Sequence, residues 1–356
     1  MEQWQRTYAG SITRLEELAG RFPINTNTLQ KVVGRFPMRI TPYYLGLIEE
    51  PGDPIWRQCI PDLRELENDR LPCDPLNEKG FSPVPGLIHR YPDRAVWLVS
   101  SMCATFCRFC VRKHHFGWGT SDTNASDDNV LTYIERTPAI RDVILSGGDP
   151  LLLSDDVLGN LLAGLRRIAH VEIVRIHTPA PVTLPERITP DLCRLLKKYH
   201  PLYINTHFNH SAEITAPSAE ACSMLADVGI PLGNQTVLLK GVNDDPLVMK
   251  ILMQKLLTIR VRPYYIHQAD LVQGTRHFHV SVDRGLEILS GLRGHTTGLA
   301  IPDYMIDLPG GKGKVPVLPE DMQRRGDTLL LRNYLGEVVE YPNPDLNVQS
   351  SMANDH

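Results

Sequence analysis

Three of the chain's seven cysteines lie close together, at Cys103, Cys107 and Cys110. Their spacing, C-x3-C-x2-C, follows directly on the apolar run AVWLVSS, which is typical of a strand. Three thiolates on one loop can each bind one iron of a [4Fe–4S] cluster and leave the fourth iron open for a further ligand. A zinc site is the alternative, but structural zinc needs four ligands, and His114 or His115 would have to supply the fourth.

Two glycine-rich segments are further candidates. The sequence SGGDP at 146–150 follows the apolar run DVIL, and its glycines would let a ligand approach the backbone closely. The sequence PGGKGK at 309–314 places the amines of Lys312 and Lys314 beside flexible glycines. Taken alone, the first segment is an ordinary turn and the second a basic surface loop, so both depend on their surroundings for a function.

The elements that must position these residues alternate along the chain. From residue 95 onward, six apolar runs of strand type are separated by amphipathic stretches, which predicts βα units and a parallel sheet. Six units are too few for a closed eight-unit barrel, so we predict an α/β fold with a partial (β/α)6-type barrel. We expect a helical N-terminal region at 1–84, the barrel at 85–305, and at 306–356 an irregular C-terminal extension with the lysine loop, a hairpin and a disordered tail. Chemistry in such a sheet lies at the carboxyl ends of the strands.

Composition limits the kinds of partner. The 356 residues carry a net charge of -4 and are 42% hydrophobic, which gives no indication of a nucleic-acid or anionic membrane partner. No apolar run approaches the roughly 20 residues that span a bilayer, and the first 20 residues lack the apolar core of a secretory signal. We therefore expect a cytoplasmic protein, and an odd cysteine count in so long a chain does not indicate a disulfide framework.

Together with the SGGDP turn, the cysteine loop resembles the signature of the radical S-adenosylmethionine (SAM) superfamily. Eight segments between residues 85 and 320 then resemble, in order, the lysine 2,3-aminomutase family; they include HRYPDR, ILSGGDPL, NTHFNH, NQTVLLKGVND and PGGKGKVPV. The resemblance implies three cofactors: a [4Fe–4S] cluster on the three cysteines, SAM on the open iron, and pyridoxal 5′-phosphate (PLP).

The resemblance also implies roles for individual residues. Lys314 matches the Schiff-base lysine that holds PLP, while Lys312 stands where the family usually has glycine and remains an alternative or a second cation. Tyr91 and Arg94 match the pair that binds the PLP phosphate, for which arginine is well suited. The residues implied on the SAM side are Gly147, Gly148, Asp149, Asn205, His207 and Gln235.

Three more residues are implied in substrate binding. Arg112 matches the arginine that holds the substrate carboxylate, although it could equally neutralise the cluster. Asp270 and Asp307 match the positions that hold the ε-ammonium of lysine, which makes physical sense because a buried cation needs anionic partners. Each aspartate alone could instead be a cap or a turn residue.

The activity that the resemblance implies is an isomerase that moves the α-amino group of a basic amino acid, L-lysine, to the β-carbon and gives β-lysine. Its partners would be the small amino acid and an electron donor such as flavodoxin or ferredoxin. A homo-oligomer is compatible with the family. The zinc bound by C-terminal cysteines in longer members is not expected, since no cysteine follows Cys222.

Other functions remain open at this point. An arginine 2,3-aminomutase would use the same two aspartates for a guanidinium. A lysine aminomutase serving elongation factor P modification is similar in length, but such enzymes tend to lack the acidic residue found here at Asp307. A non-catalytic iron–sulfur or zinc protein, and a radical SAM enzyme without PLP, are rivals that the joint presence of cysteine, SAM and PLP features disfavours.

Overall fold

The N-terminal region is built of short helices. The computed structural model describes residues 2–67, 70–114, 127–325 and 328–342. Side-chain oxygens of Asn25, Thr41 and Asp53 cap three of the helices by accepting backbone N–H groups, as residues of this type do at helix starts. The helices are α1 Gln3–Ala9, α2 Leu15–Ala19, α3 Thr26–Arg35, α4 Pro42–Leu45 and α5 Pro54–Cys59, followed by single 3-10 turns at Leu63–Leu66 and Lys79–Phe81.

A nine-stranded sheet forms the centre of the molecule, with its strands in chain order. The first pair and the last pair are antiparallel, and the seven strands from the second to the eighth are parallel. The strands are β1 Leu87–Tyr91, β2 Arg94–Ser100, β3 Asp142–Gly147, β4 Ile173–His177, β5 Leu202–Thr206, β6 Leu232–Leu238, β7 Arg262–Gln268, β8 Asp303–Asp307 and β9 Lys314–Pro316.

Helices connect the parallel strands and cover the outside of the sheet. Because both faces are covered at β3, its residues Val143, Ile144 and Leu145 are all buried, as expected of a central parallel strand. The helices are α6 Asp127–Glu135, α7 Asp155–Arg166, α8 Ala180–Thr183, α9 Pro190–Lys197, α10 Ala216–Asp227, α11 Pro246–Thr258 and α12 Val282–Leu292.

The two ends of the sheet approach each other without pairing as strands. The backbone N–H of Lys314 on β9 donates to the hydroxyl oxygen of Tyr91 on β1 (2.7 Å), and Arg90 on β1 forms an ion pair with Asp307 on β8 (3.3 Å). A segment that we call the strap, residues 72–81, crosses this seam. The carbonyl of Pro75 in the strap accepts the N–H of Gly310 in the lysine loop (2.7 Å).

The C-terminal extension adds a separate three-stranded antiparallel sheet, composed of β10 Met322–Arg325, β11 Thr328–Arg332 and β12 Val338–Pro342. At the position of the predicted hairpin, β11 and β12 pair along their whole lengths. The predicted disordered tail, SSMANDH, lies outside the described residues. No helix in the described ranges has the length and apolar character needed to cross a membrane.

The predicted fold class, an α/β partial barrel with a helical N-terminal region, is confirmed, and six βα units lead from β2 to β8. Sequence analysis predicted neither β1 nor β8 as a strand. β8 has only five residues and is followed at once by the Pro309 turn, so its signal is short. The domain limits at 84/85 and 305/306 stay predictions, and β8 runs across the second of them.

Candidate active site

Two adjoining cavities lie at the carboxyl ends of the parallel strands. The first, which we call the cluster cavity, is lined by the three cysteines together with Arg112, Gly147, Gly148, His177, His207 and Asp270. The second, which we call the lysine cavity, has a volume of about 640 Å³ and is lined by residues that include Glu78, Arg90, Tyr91, Arg94, Arg112, His177, His207, Gln235, Asp270, Asp307 and Lys314. Arg112, His177, His207 and Asp270 line both cavities, so the structure brings most of the predicted site residues into one space.

The cysteine loop follows β2, and buried charged side chains hold it against the N-terminal region. Arg108, within the loop, forms an ion pair with Glu65 (2.6 Å), and Lys113 also donates to Glu65 (2.8 Å). All three of these side chains are at most 4% exposed. Buried charges of this kind are tolerated only when they are paired and hydrogen-bonded, so the network ties the loop to the N-terminal region.

The three thiols face the cluster cavity in an environment that disfavours free thiolates. Burial raises the pKa of each thiol, and the pKa of Cys103 is raised further by the charges of Cys110 and Asp149. Cationic iron compensates such a cost directly, because thiolate ligands are deprotonated by the metal that they bind. The donor set therefore fits an iron–sulfur cluster held by one thiolate per iron.

The zinc alternative is not supported by the arrangement of donors. Within residues 2–67, 70–114, 127–325 and 328–342, no three His, Cys, Asp or Glu side chains converge on a point that could hold a single metal ion. His114 lies against Phe36, with ring centroids 5.0 Å apart, and His115 is outside the described residues.

The glycine turn after β3 packs directly against the cysteine loop. Gly148 N–H donates to the Ser100 carbonyl (2.6 Å), and Asp149 N–H donates to the Met102 carbonyl (2.6 Å). A side chain at Gly148 would collide with the Met102 carbonyl, so this approach requires glycine. Both glycines line the cluster cavity, as a contact with SAM would require.

Asp149 is placed differently from the prediction. Its carboxylate is fully buried behind the cavity wall, where it accepts the Thr178 hydroxyl (2.6 Å) and the N–H of Leu151 (3.0 Å). Burial raises its pKa to about 6. One carboxylate oxygen therefore shapes the turn, Oδ2 has no hydrogen-bond partner among the described residues, and Asp149 lines neither cavity. Sequence analysis could not distinguish this position from one that lines the cavity.

Asn205 also lines neither cavity, whereas His207 and Gln235 line the lysine cavity. The amide of Asn205 lies 3.0 Å from Nε2 of His177 and so fixes the orientation of that ring. Burial lowers the pKa of His177 and lowers that of His207 to about 4, so both imidazoles are neutral near pH 7. Because both rings are neutral, the charged groups of the lysine cavity are its carboxylates, its arginines and Lys314.

Lys314 enters the lysine cavity and meets a carboxylate there. Its ammonium forms an ion pair with Asp307, whose side chain is only 4% exposed and is also bound by Arg90. Lys312 points outward and is exposed. The geometry therefore favours Lys314 over Lys312 as the lysine that meets a cofactor.

The phosphate-binding prediction has a matching cationic and aromatic surface. The guanidinium of Arg94 lies 3.8 Å from the ring centre of Tyr91, and both residues line the lysine cavity. Arg175, on β4, lines the same wall and is paired with Asp142 (2.7 Å). Together with Lys314, these groups fit the requirements of PLP, which are a reactive amine and donors for a phosphate.

Arg112 is already engaged by a carboxylate that sequence analysis did not identify. Its Nε and Nη2 donate to the two carboxylate oxygens of Glu78, at 2.8 and 2.6 Å, in a bidentate pair. Glu78 belongs to the strap and lines the lysine cavity. The pairing offsets the cost of enclosing Arg112 beside the cluster loop.

Asp270 faces both cavities from the loop after β7. Burial raises the pKa of its carboxyl to about 7; Asp307 and Glu78 raise it, while Lys314 and Arg112 lower it. Among the described residues, no side chain donates a hydrogen bond to this carboxylate. An enclosed carboxylate without a donor is suited to a cationic ligand.

Comparison with known proteins finds related sequences and a solved structure. The sequence pattern of the radical SAM superfamily matches residues 97–251, and that of lysine-2,3-aminomutase matches residues 289–356. The L-lysine 2,3-aminomutase of Clostridium subterminale is 49% identical over 96% of this chain and 84% of its own, and that of Fusobacterium nucleatum is 47% identical over 96% and 82%. The glutamate 2,3-aminomutase of Clostridioides difficile is 47% identical over 88% and 75%. A solved radical SAM methyltransferase from Sphaerobacter thermophilus has a TM-score of 0.44, with 18% identity over 62% of this chain and 68% of that one.

The cysteine loop, the glycine turn beside it and the matched pattern define a radical SAM enzyme, a class that uses a [4Fe–4S] cluster and SAM. Within that class, the identity and coverage of the relatives place the chain in the lysine 2,3-aminomutase family, whose members are isomerases. The resemblance inferred from sequence is thereby confirmed.

Five residues of the site were not identified from sequence: Glu78, Arg90, Arg175, His177 and His267. His177, Arg175 and His267 lie on or at the ends of strands that were predicted, so position alone could have suggested them. Glu78 and Arg90 carried no comparable signal, because the strap was assigned to the helical N-terminal region and β1 was not predicted as a strand.

Proposed function

We propose that this chain is a PLP-dependent radical SAM 2,3-aminomutase that acts on a basic amino acid, L-lysine, and forms β-lysine. Membership of the family does not fix the substrate, since a glutamate 2,3-aminomutase is almost as similar as the lysine enzymes. The observation that carries the proposal is the pair of enclosed carboxylates, Asp270 and Asp307, in the same cavity as Arg112.

The three charges would bind the two ends of one molecule. The guanidinium of Arg112 lies where both cavities meet, so a substrate carboxylate bound there is next to the cysteine loop. Asp270 and Asp307 would hold the distal cation, because an ammonium removed from water needs anionic partners. The same carboxylates would repel the side chain of glutamate.

The cofactors supply the reactive groups and this chain supplies their placement. PLP, held by Lys314 and by Tyr91 and Arg94, provides the carbonyl that carries the migrating amino group, and the cluster with SAM provides the hydrogen-abstracting radical. Enclosure by the barrel and the strap excludes water from the reacting carbon. Fixing the substrate at both ends limits which hydrogen can be abstracted.

Electrons for the cluster have to come from outside the chain, and a small one-electron donor such as a flavodoxin or ferredoxin would serve. The test is an anaerobic incubation of the iron-reconstituted protein with SAM, PLP and dithionite. L-Lysine, L-arginine, L-ornithine and L-glutamate are supplied separately, and products are identified by mass spectrometry.

Formation of β-lysine with most of the SAM regained is the expected result. Conversion of arginine in preference to lysine would change the substrate and keep the roles of both aspartates. Conversion of glutamate would contradict the proposed cation site. Cleavage of SAM without rearrangement of any free amino acid would refute the proposal and direct attention to a protein-bound lysine.

A further inference from the structure

The strap holds Glu78 in a defined position. Asp74 accepts the backbone N–H of Glu78 (3.0 Å), and Asn77 adopts a left-handed backbone (φ 51°) that turns the chain just before Glu78. Asparagine tolerates this conformation better than most residues. The strap is also bonded to the lysine loop through Pro75 and to Arg90 through the carbonyl of Leu76 (3.2 Å).

Glu78 in turn determines where Arg112 points. In the described part of the chain, both hydrogen bonds of the Arg112 side chain go to Glu78, through Nε and Nη2. This bidentate contact fixes the plane of the guanidinium and leaves Nη1 for another acceptor. The Arg112 and Glu78 side chains are 18% and 15% exposed, so water competes little for either of them.

In the absence of Glu78, Arg112 could form an ion pair with a second carboxylate, that of Asp270. Asp270 lines both cavities beside Arg112 and lacks a hydrogen-bond donor among the described side chains. Arg112 has a long side chain and could turn toward Asp270. Pairing of Arg112 with Asp270 would occupy the carboxylate-binding and the cation-binding group of the site at the same time.

We propose that Glu78 is a positioning residue that keeps Arg112 apart from Asp270, so that both stay available to the two ends of the substrate. This rests on the proposed function, which assigns Arg112 to the substrate carboxylate and Asp270 to the distal cation. It makes the strap, which lies outside the barrel sheet, a part of the substrate-binding apparatus.

The test uses two probes that cannot react with PLP. 5-Guanidinopentanoate carries a carboxylate and a distal cation, and butylguanidine carries the cation alone. Their dissociation constants are measured by titration calorimetry on the PLP-loaded protein. The variants are Glu78→Gln, the double variant Glu78→Gln/Arg112→Gln, and the control Glu172→Gln, which removes another bidentate arginine partner, that of Arg141, on the exposed surface away from the cavities.

Loss of one charge-assisted contact predicts that Glu78→Gln weakens both probes by about tenfold. Butylguanidine binds through the distal carboxylates, of which Asp270 would be lost to Arg112 in Glu78→Gln. Removing Arg112 as well should therefore bring its binding back to within about threefold of the wild type. 5-Guanidinopentanoate should stay weak in the double variant, because the carboxylate ligand is gone. A loss of structure would not be reversed by a second substitution.

Three results would overturn the inference: unchanged binding in Glu78→Gln, no recovery of butylguanidine binding in the double variant, or no binding of either probe by the wild type. These outcomes are independent of turnover. If the wild type and the variants bind both probes as expected but no amino acid is rearranged, the proposed function fails while the positioning of Arg112 by Glu78 stands. If lysine is rearranged and Glu78→Gln binds both probes as Glu172→Gln does, the proposed function stands and the role of Glu78 is refuted.

Discussion

The ammonium of Lys314 lies against the carboxylate of Asp307, so the lysine assigned to the cofactor and an aspartate assigned to the substrate are partners in the free protein. Under the proposed function, the amine of Lys314 would hold PLP and would not be free to pair with Asp307 as an ammonium. The carboxylate then keeps Arg90 as its remaining protein partner. Under the proposed function, a substrate ammonium would pair with Asp307 in place of the Lys314 ammonium.

Asp307→Asn should therefore weaken substrate binding more than it alters the fold. A hydrogen bond to a charged group contributes about 1.5–3 kcal/mol, which corresponds to a KM for L-lysine that is about 10- to 140-fold higher. The measurement is the KM from β-lysine formation, with Glu172→Gln as the control for loss of a surface pair. A KM within twofold of the wild type would argue against a role of Asp307 at the distal cation.

Asp270 predicts a pH dependence of substrate binding. Burial raises the pKa of this carboxyl to about 7, so it is largely protonated below pH 7 and ionised above it. Only the ionised form attracts an ammonium, and the groups that face it are Asp307, Glu78, Lys314 and Arg112. The KM for L-lysine should thus fall as the pH rises from 6 to 8, by up to about tenfold per unit below the pKa.

The matching control is Asp270→Asn, which cannot titrate. Its KM should be high and should not follow the same curve between pH 6 and 8. If the wild type and Asp270→Asn have parallel pH profiles, another group causes the dependence, and Asp270 is not the cation ligand.

The two lysines of the glycine loop give an internal comparison. Lys314→Ala should abolish the visible absorbance of the PLP Schiff base and the mutase activity, because Lys314 is the lysine of this loop that enters the lysine cavity. Lys312→Ala removes an exposed amine two residues away and should keep both. Absorbance spectra after PLP loading distinguish the two variants. A Schiff base that persists in Lys314→Ala and disappears in Lys312→Ala would reverse the assignment.

Sequence analysis predicted those parts of the site that depend on residues close together in the chain. Cysteine spacing and the glycines around Lys314 are visible within a few residues, and six βα units were apparent from alternation alone. Long-range pairing was not visible: Glu78 lies 34 residues from its partner Arg112, and Arg90 lies 217 residues from Asp307. Such contacts arise only when the strap and β1 close the seam of the sheet, and sequence analysis predicted neither β1 as a strand nor the strap as part of the site.

Asp149 illustrates the converse. Its motif was read correctly as a turn at a strand end beside the cysteines. Whether its side chain faces the cavity depends on the pairing with Thr178 on the next strand's loop, which the motif does not contain. Residue type and spacing identify a functional loop more reliably than they identify which atoms of it meet a ligand.

The contact between the glycine turn and the cysteine loop supports a last prediction. A methyl group at position 148 would collide with the carbonyl of Met102, next to Cys103. Backbone atoms cannot yield as a flexible side chain does, so Gly148→Ala should lower the free energy of unfolding by about 1–3 kcal/mol and displace the cysteine loop. Gly298→Ala is the control, since a side chain there would have no atom within 4 Å.

The loop displacement can be measured apart from stability. After anaerobic reconstitution at a temperature where both variants are folded, Gly148→Ala should hold less iron and sulfide per chain than Gly298→Ala. The reason is that three thiolates must keep a fixed spacing to bind one cluster. Full iron content in a destabilised Gly148→Ala would show that the turn supports the fold without setting the position of the cysteines, and the glycine would then matter only for the approach of SAM.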